Sequence, residues 1–264
     1  MARANRHHIP GQVWHITHRC HKQELLLKFS RDRTRWLQWL FEAKKRYGLH
    51  ILNYVVTSNH IHLLVVDGDV EVVPQSLQLV AGKTAQEFNR RKNRKGAYWD
   101  DRYHATAVEP GEHFFRCLAY IDLNMVRNGV VHYPSAWAHG GYNEIQNPPR
   151  RYTLIDREQL IACCGLGSDE QLRKEHRQWV EESIFNSNGV AREPEWTESI
   201  AVGSKSFVDG IRKQLQPRLT GRKVKEIGRH YELREQETAY NPHFTPENTR
   251  LSTENMFYLG INDE

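Results

Sequence analysis

The sequence has few cysteines and no long apolar run. None of its four cysteines forms a Cys-x-x-Cys pair, and these residues are Cys20, Cys117, Cys163 and Cys164. No apolar segment approaches the roughly 18 residues that a membrane-spanning helix needs, and no apolar signal segment follows Met1. We therefore expect a protein of the reducing cytoplasm that does not cross a membrane.

The composition indicates a folded globular chain. Of the 264 residues, 39% are hydrophobic and 10% are aromatic, and seven tryptophans are spread along the sequence. That much apolar surface can offset the entropy cost of ordering a domain. The length suits one sizeable core, or one domain with a smaller appendage.

Positive charge is concentrated in the first part of the chain. Residues 1–150 hold 21 Lys+Arg against 13 Asp+Glu, a charge of +8, whereas residues 151–264 hold 16 against 19, a charge of −3. A surface that binds a polyanion is therefore expected in the first 150 residues. Charge alone would also be explained by solubility.

The first 70 residues predict a strand, a helix and a hairpin. Gln12–Cys20 is rich in β-formers, and Ser30–Tyr47 has the amphipathic pattern of a helix that ends at Gly48. Ile51–Thr57 and His60–Val66 are strand-like and are separated only by a two-residue polar turn. We expect these two runs to pair as antiparallel strands.

The next 60 residues predict a second helix, strand and helix. Pro74–Asn89 has apolar residues at helical spacing, Tyr98–Val108 alternates loosely, and Pro110–Asn128 is a helix ended by Gly129. The order strand, helix, hairpin, helix, strand, helix predicts an α+β fold. We expect a ferredoxin-like sandwich, with a central antiparallel sheet and helices packed on it.

The Pro-Pro-Arg-Arg segment at residues 148–151 is typical of a boundary. The sequence therefore predicts a first domain at residues 1–148 and a mainly helical accessory region at residues 149–264. Three helices are predicted in that region, at Asp169–Ile184, Ser204–Leu215 and Gly221–Tyr231. No residue of the region suggests chemistry of its own.

Two histidines at the start of the second hairpin strand are the sharpest sign of chemistry. His60 and His62 flank one apolar residue, so a strand places both imidazoles on the same face, which suits a shared metal ion. A His-x-His pattern also arises by chance in a chain with 15 histidines. The position at a strand end, beside a polar turn, favours a functional site.

A polar stripe runs along the predicted helix Pro110–Asn128. Tyr120, Asn124 and Arg127 are four and three residues apart and therefore share one helix face. A tyrosine in such a stripe is more often a core residue than a nucleophile. The amide of Asn124 could supply oxygen to a hard cation, and Arg127 could hold phosphate, so the stripe is chemically coherent.

Together these features resemble the REP-associated tyrosine transposases, which belong to the single-tyrosine HUH nucleases and are relatives of insertion-sequence transposases. The resemblance extends over most of residues 5–145. It rests on three segments, Ser58-Asn59-His60-Ile61-His62-Leu63-Leu64, Tyr98-Trp99-Asp100-Asp101-Arg102-Tyr103-His104, and Tyr120-Ile121-Asp122-Leu123-Asn124-Met125-Val126-Arg127-Asn128-Gly129. The family usually has proline where this sequence has Met125, a difference that touches no reacting group.

The resemblance implies a role for each site residue. His60, His62 and Asn124 would bind a divalent metal ion, Mg²⁺ or Mn²⁺, and Tyr120 would attack the scissile phosphate. The protein would cleave and rejoin single-stranded DNA near hairpins through a 5′-phosphotyrosine intermediate. Family members act as monomers or as homodimers, and both states stay open here.

Basic and aromatic residues of the first 150 positions are candidates for holding the DNA strand. Single strands are bound by charge along the backbone and by stacking on bases. Each of these side chains alone could be a solvated charge or a core ring. The candidates are Arg3, Arg6, Arg90, Arg91, Lys92, Arg94, Lys95, Trp99, Tyr103 and Arg127.

Three more histidines, His15, His18 and His21, fall at a spacing of three in the first strand region. That spacing does not align on one strand face, so the sequence favours surface positions for them.

Two other functions remain open. One is a DNA-binding protein on the same fold without catalysis, and the other is an RNA-processing enzyme, which would prefer ribose-containing strands.

Overall fold

The computed structural model describes residues 9–69, 71–185, 193–215, 223–227 and 230–234. All of them lie in the larger of the two compact units of the chain, Arg3–Glu235. Within these ranges, none of the helices combines the length and the apolar character that crossing a bilayer would require.

The central sheet begins with four antiparallel strands, β1 (Val13–Arg19), β2 (His50–Val56), β3 (His60–Val66) and β4 (His104–Val108). Their spatial order is β2-β3-β1-β4, and every neighbouring pair is antiparallel. With the helices between them, this is the strand-helix-strand-strand-helix-strand order of a ferredoxin-like sheet. The predicted α+β fold and hairpin are confirmed.

Three helices complete this unit. They are α1 (Ser30–Tyr47), α2 (Val72–Arg91) and α3 (Glu112–Asp122). Helices α1 and α2 pack against each other, and α3 packs against β2, β3 and β4. Helix α1 ends at Gly48, whose φ of 72° is the left-handed conformation that glycine adopts without steric cost.

Strand β4 is shorter than the predicted run Tyr98–Val108. It begins at His104, and before it only Trp99 pairs with the sheet, through an isolated bridge to Cys20. Tyr98 and Tyr103 are buried instead as core side chains. The aromatic residues therefore mark an interior loop, because aromatic side chains favour burial in loops as well as in strands.

Residues beyond 149 extend the same sheet. Strands β5 (Ser199–Gly203), β6 (Lys223–Ile227) and β7 (His230–Arg234) continue the order as β4-β5-β7-β6. Strand β5 is parallel to β4, with Ala107 opposite Ala201. The accessory region thus contributes strands as well as helices, and the sheet passes across the predicted boundary.

The remaining helices are α4 (Asn124–Arg127), α5 (Tyr142–Gln146), α6 (Arg157–Cys164), α7 (Asp169–Phe185), α8 (Glu195–Glu198) and α9 (Lys205–Gln214). Helices α7 and α9 confirm two predictions made for the accessory region. The third predicted helix, Gly221–Tyr231, is wrong, because its described residues form the antiparallel strands β6 and β7.

A buried polar network joins α7 to α3. The Nε2 atom of His176 lies 2.7 Å from Oδ2 of Asp122, and both side chains are fully buried. The amide of Asn53 on β2 donates to the other oxygen of Asp122 at 3.0 Å. Breaking such a buried pair leaves an uncompensated polar group, so the network holds the helix that carries Tyr120 at a defined position on the sheet.

Candidate active site

The two histidines of β3 lie on the same face of the sheet. In the pairing with β1, Thr17 is opposite His62 and Arg19 is opposite His60, and residues that pair in register share a face. The two imidazole centroids are 5.0 Å apart. The two histidines therefore share one face, as the sequence predicts. Tyr120 of α3 lies on that side of the sheet, beside His62.

The hairpin turn before β3 determines which ring nitrogen of His60 carries the proton. Its Nδ1 atom is 2.7 Å from Oδ1 of Asn59 and 3.0 Å from Oγ1 of Thr57. The Thr57 hydroxyl donates its hydrogen to the carbonyl of His60 at 2.8 Å, so it can only accept from the ring. Nδ1 therefore carries the proton of the neutral ring, and Nε2 keeps its lone pair.

His62 is hydrogen-bonded at both ring nitrogens. Its Nδ1 atom is 2.9 Å from Nε2 of His15, and its Nε2 atom is 3.0 Å from the amide nitrogen of Asn124. The His15 and His62 rings stack with centroids 5.0 Å apart and planes 4° apart. His62 thus connects the first strand of the sheet to the helix side of the site.

The surface positions expected for His15, His18 and His21 are wrong for the first two. His15 is fully buried beside His62, and His18 is 8% exposed and stacks on Trp99. Register explains the first error, because His15 pairs with Leu64 and so shares the face of His62. Spacing within one strand carries no information about the neighbouring strand.

The helix side of the site is made by α3 and α4. The predicted continuous helix is interrupted at Leu123, although hydrogen bonds still run from the Leu123 amide to the Ala119 carbonyl and from the Arg127 amide to the Leu123 carbonyl. Gly129 follows with a φ of 66°. The interruption is short, and Tyr120, Asn124 and Arg127 still face the same cavity.

Tyr120 is packed among the site's rings. Its centroid is 5.8 Å from that of His62 and 6.2 Å from that of Trp196. The guanidinium carbon of Arg127 lies 3.9 Å from the tyrosine ring centroid, and Nη2 of Arg127 donates to the Tyr120 carbonyl at 2.7 Å. Nη1 of Arg127 is buried and has no hydrogen-bond partner among the described residues, so its N–H can donate to an anionic ligand.

Burial keeps the histidines of the site neutral. Desolvation lowers the pKa of His60 to about 4, helped by the charges of Arg19 and Arg127. Desolvation also lowers the pKa of His15 to about 3, and it moves the pKa of His62 well below its ordinary value. A neutral imidazole has the lone pair that a metal ligand needs, so at pH 7 neither His60 nor His62 must lose a proton before it binds a metal ion.

A cavity of about 530 Å³ opens in front of these residues. His60, His62, Tyr120, Asn124 and Arg127 all line it. Sequence reasoning missed the other lining residues, which are Thr17, His18, Arg19, Asp100, Asp101, Arg102, His104, Asn128, Thr197 and Glu198. Arg19 is two residues from Thr17 on the face of the histidines, a signal that appears only once the register is known.

The region beyond residue 148 closes one side of the site. The Trp196 carbonyl accepts from His15, with Nδ1 at 2.8 Å, and from the Thr106 hydroxyl at 3.2 Å. Arg116 of α3 holds this segment through ion pairs with Glu193 at 2.8 Å and Glu195 at 3.1 Å. A region with no recognisable chemistry in sequence therefore contributes to the site.

The other predicted DNA-binding residues that the structure describes do not line the cavity. Arg3 and Arg6 fall outside the described residues. Arg91 pairs with Asp32, Arg94 pairs with Glu24, and Lys92 lies over the ring of Phe29, while Arg90 and Lys95 are exposed. Trp99 is half-buried with its indole nitrogen bonded to the Ala81 carbonyl, and Tyr103 is only 4% exposed, which leaves little ring surface for a base.

The donor set in the cavity fits a divalent ion that is also bound by substrate. Two neutral imidazoles and one side-chain amide are present, and the described residues contain no cluster of three or more His, Cys, Asp or Glu side chains placed to hold a metal. Phosphate oxygens and water would have to complete the shell, as they commonly do for Mg²⁺. In this structure the amide nitrogen of Asn124 is bonded to Nε2 of His62 and its oxygen accepts from Asn128 at 3.2 Å, so ligation would require the Asn124 oxygen to exchange that partner for the ion.

The depressed histidine pKa values predict a loss of stability in mild acid. The unfolded chain binds protons at His60 near its ordinary pKa of 6.5, whereas the folded chain does so only near 4, so stability is present above pH 6.5 and is lost as the pH falls towards 4. At pH 5 the loss from His60 alone is roughly 2 kcal/mol. Urea titrations of the metal-free protein at pH 7.5 and 5.0 measure it.

The matched variants are His60→Gln and His132→Gln, because His132 is exposed. We expect the first to reduce the difference in the free energy of unfolding between the two pH values, and the second to keep it. A wild-type difference that His60→Gln leaves unchanged would contradict the assignment.

A sheet that presents two histidines to a helical tyrosine and an arginine, around a polar cavity, is equipped for phosphodiester chemistry. The family model described as "Transposase IS200 like" matches residues 11–124, which include the four-stranded sheet, both histidines, Tyr120 and Asn124. Over these residues the chain is similar to the IS200-like transposases. The resemblance that the sequence predicted is confirmed over residues 11–124 of the chain.

Two solved structures are similar to the chain. The REP-associated tyrosine transposase bound to a REP hairpin is 19% identical, with a TM-score of 0.44, over 55% of this chain and 84% of that one. A protein described as a transposase from Deinococcus radiodurans R1 is 15% identical, with a TM-score of 0.33, over 47% of this chain and 95% of that one. Among curated proteins the search found no match.

Proposed function

We propose that this protein is a metal-dependent endonuclease and strand transferase that cuts and rejoins single-stranded DNA near hairpins. The observation that carries the proposal is the shared cavity, in which Tyr120 lies beside two neutral imidazoles and an arginine with a free N–H. The family supports DNA as the substrate. Chemistry and family therefore point to the same reaction.

Tyr120 is the nucleophile in this proposal. Its phenolic oxygen loses a proton and attacks the scissile phosphorus, while the bond from phosphorus to the 3′ oxygen breaks and that oxygen gains a proton. The products are a free 3′ hydroxyl and a DNA strand whose 5′ phosphate is esterified to Tyr120. Attack on this ester by another 3′ hydroxyl rejoins DNA and releases the tyrosine, so no nucleotide cofactor is consumed.

Arg127 can interact with both the tyrosine nucleophile and the phosphate that it attacks. Its positive charge interacts favourably with the ionised form of Tyr120, and its planar group already covers the tyrosine ring at 3.9 Å. Its buried Nη1, which the described protein leaves unpartnered, can donate to a phosphate oxygen. The arginine thus stabilises the negative charge that builds up between tyrosine and phosphate.

His60, His62 and Asn124 would hold the metal ion. The ion, Mg²⁺ or Mn²⁺, would supply Lewis acidity at the scissile phosphate. Hydrogen bonds to Nδ1 of both histidines direct their Nε2 lone pairs away from those partners. The protein's own contribution is to keep both rings neutral and oriented before substrate arrives.

The strand bound in the cavity would extend over the basic side of the first 150 residues. Arg19 and Arg102 line the cavity, and the exposed Arg90 and Lys95 belong to the loop after α2. Residues 149–264 would act as an accessory region that supports the site, working in a cytoplasmic monomer or homodimer. The alternative, a DNA-binding protein without catalysis, keeps the cavity but forms no covalent product.

The test uses single-stranded oligonucleotides that carry the palindromes flanking the gene, labelled at either end, with Mn²⁺, Mg²⁺ or EDTA. With a 3′ label we expect a metal-dependent band of protein linked to DNA that survives denaturation. With a 5′ label we expect a shorter free strand ending in a 3′ hydroxyl. Binding without any linked band supports the non-catalytic alternative, and preferential cleavage of ribose-containing strands supports RNA processing.

A further inference from the structure

We infer that His15 is a positioning residue that fixes the proton of His62 on Nδ1, and that the Trp196 carbonyl of the accessory region sets the direction of this relay. The inference deepens the proposed function, on which its catalytic meaning rests. Neither the family match nor the sequence pattern includes Trp196, since the match ends at Asn124.

The positions of the ring protons follow from the Trp196 carbonyl, which can only accept a hydrogen bond. The Trp196 carbonyl lies 2.8 Å from Nδ1 of His15, so that nitrogen must carry a proton. A neutral His15 then has a bare Nε2, and the 2.9 Å contact with His62 requires that Nδ1 of His62 be the donor. A neutral His62 is left with a bare Nε2, which faces Asn124 at 3.0 Å.

The packing around His15 holds this arrangement in place. His15 is fully buried, and its ring lies parallel to that of His62. The Thr106 hydroxyl, on the neighbouring strand β4, contacts both the Trp196 carbonyl at 3.2 Å and the Ser199 carbonyl at 2.6 Å. The single hydroxyl hydrogen can be donated to only one of these carbonyls at a time, and both lie beside β4, which pairs with β1.

The two histidines of β3 therefore obtain the same tautomer from different parts of the chain. For His60 the acceptors are Asn59 and Thr57, which belong to its own hairpin turn. For His62 the acceptor is His15, and through it a carbonyl 134 positions further along the chain. Residues that orient a ligand in this way commonly change metal affinity by roughly 10- to 100-fold when removed.

The closing experiment reads the tautomers directly. In metal-free protein labelled with ¹⁵N-histidine, NMR correlations between ring nitrogens and ring protons should show His15 and His62 both protonated on Nδ1 and bare on Nε2. The His15→Phe variant keeps a planar ring without nitrogens, and we expect it to lose the fixed tautomer of His62 and to bind Mn²⁺ roughly 10- to 100-fold more weakly. Calorimetry measures the Mn²⁺ affinity.

The conservative variant is His15→Gln, whose amide can donate to the Trp196 carbonyl and accept from His62. We expect it to restore the tautomer of His62 and an Mn²⁺ affinity close to that of wild type, which a purely space-filling role would not predict. Wild-type protein with His62 protonated on Nε2 would overturn the inference, even if His15→Phe does not fold. So would a His15→Phe variant with unchanged tautomer and affinity.

The outcomes separate this inference from the proposed function. The tautomer measurement needs neither DNA nor metal, so it stands or fails by itself. A protein with the expected tautomers that forms no DNA adduct would refute the nuclease alone. A protein that forms the adduct but has the other tautomer would refute the relay alone.

Discussion

Replacing Tyr120 with phenylalanine is expected to abolish the covalent DNA adduct and to lower strand cleavage by on the order of 10³-fold or more, because the phenolic oxygen is the attacking atom. The ring itself remains, so its contacts with His62, Trp196 and Arg127 are retained. DNA affinity and melting temperature should therefore stay close to those of wild type. The labelled-strand assay measures the adduct, and calorimetry measures stability.

The matched control is Tyr142→Phe. The Tyr142 hydroxyl is bonded to that of Tyr133 at 2.9 Å, and Tyr142 does not line the cavity. Removing it takes away the same atom at another buried site, and we expect adduct formation to continue. If Tyr120→Phe still formed a denaturant-resistant adduct, another nucleophile would have to be sought.

Replacing His62 with alanine is expected to cause a loss of metal-dependent cleavage on the order of 10²-fold or more, together with weaker Mn²⁺ binding. The change removes a proposed ligand and leaves the His15 ring and the Asn124 amide without their shared partner. Each buried polar group left unsatisfied costs about 1–3 kcal/mol, so the free energy of unfolding should also fall. Cleavage rates are measured across Mn²⁺ concentrations.

Two comparisons separate the loss of chemistry from the loss of stability. Cleavage by His62→Ala should be measured well below its melting temperature, where the protein is folded and should still bind DNA. The exposed His132→Ala serves as a control for removing a histidine and should behave as wild type. Cleavage by His62→Ala at the wild-type rate and with the wild-type Mn²⁺ dependence would remove His62 from the proposed metal site.

Local patterns were sufficient for most elements of the first 130 residues. Alternation placed His60 and His62 on one strand face, and helical spacing placed Tyr120 and Arg127 close enough to touch. Both patterns arise from residues fewer than eight positions apart. Such distances are set by backbone geometry, which is the same in every strand and every helix.

The segment Gly221–Tyr231 shows where local patterns fail. Val224, Ile227 and Tyr231 are three and four residues apart, which is helical spacing, yet β6 and β7 form there. Strand β7 pairs with β5, so the sheet offers this segment backbone partners that the sequence pattern does not reveal. Tertiary pairing overrode the local preference, as it commonly does for short segments.

The sequence by itself predicted the order of the ferredoxin-like elements, the resemblance to the IS200-like transposases, and the histidine pair and tyrosine proposed to act. Only the tertiary structure decided that His15 links His62 to the Trp196 carbonyl, and that Arg19, Arg102, Thr197 and Glu198 line the cavity. These contacts depend on strand register and on chain closure over more than a hundred residues. Local periodicity carries no record of either, because both are chosen by the packing of the whole sheet.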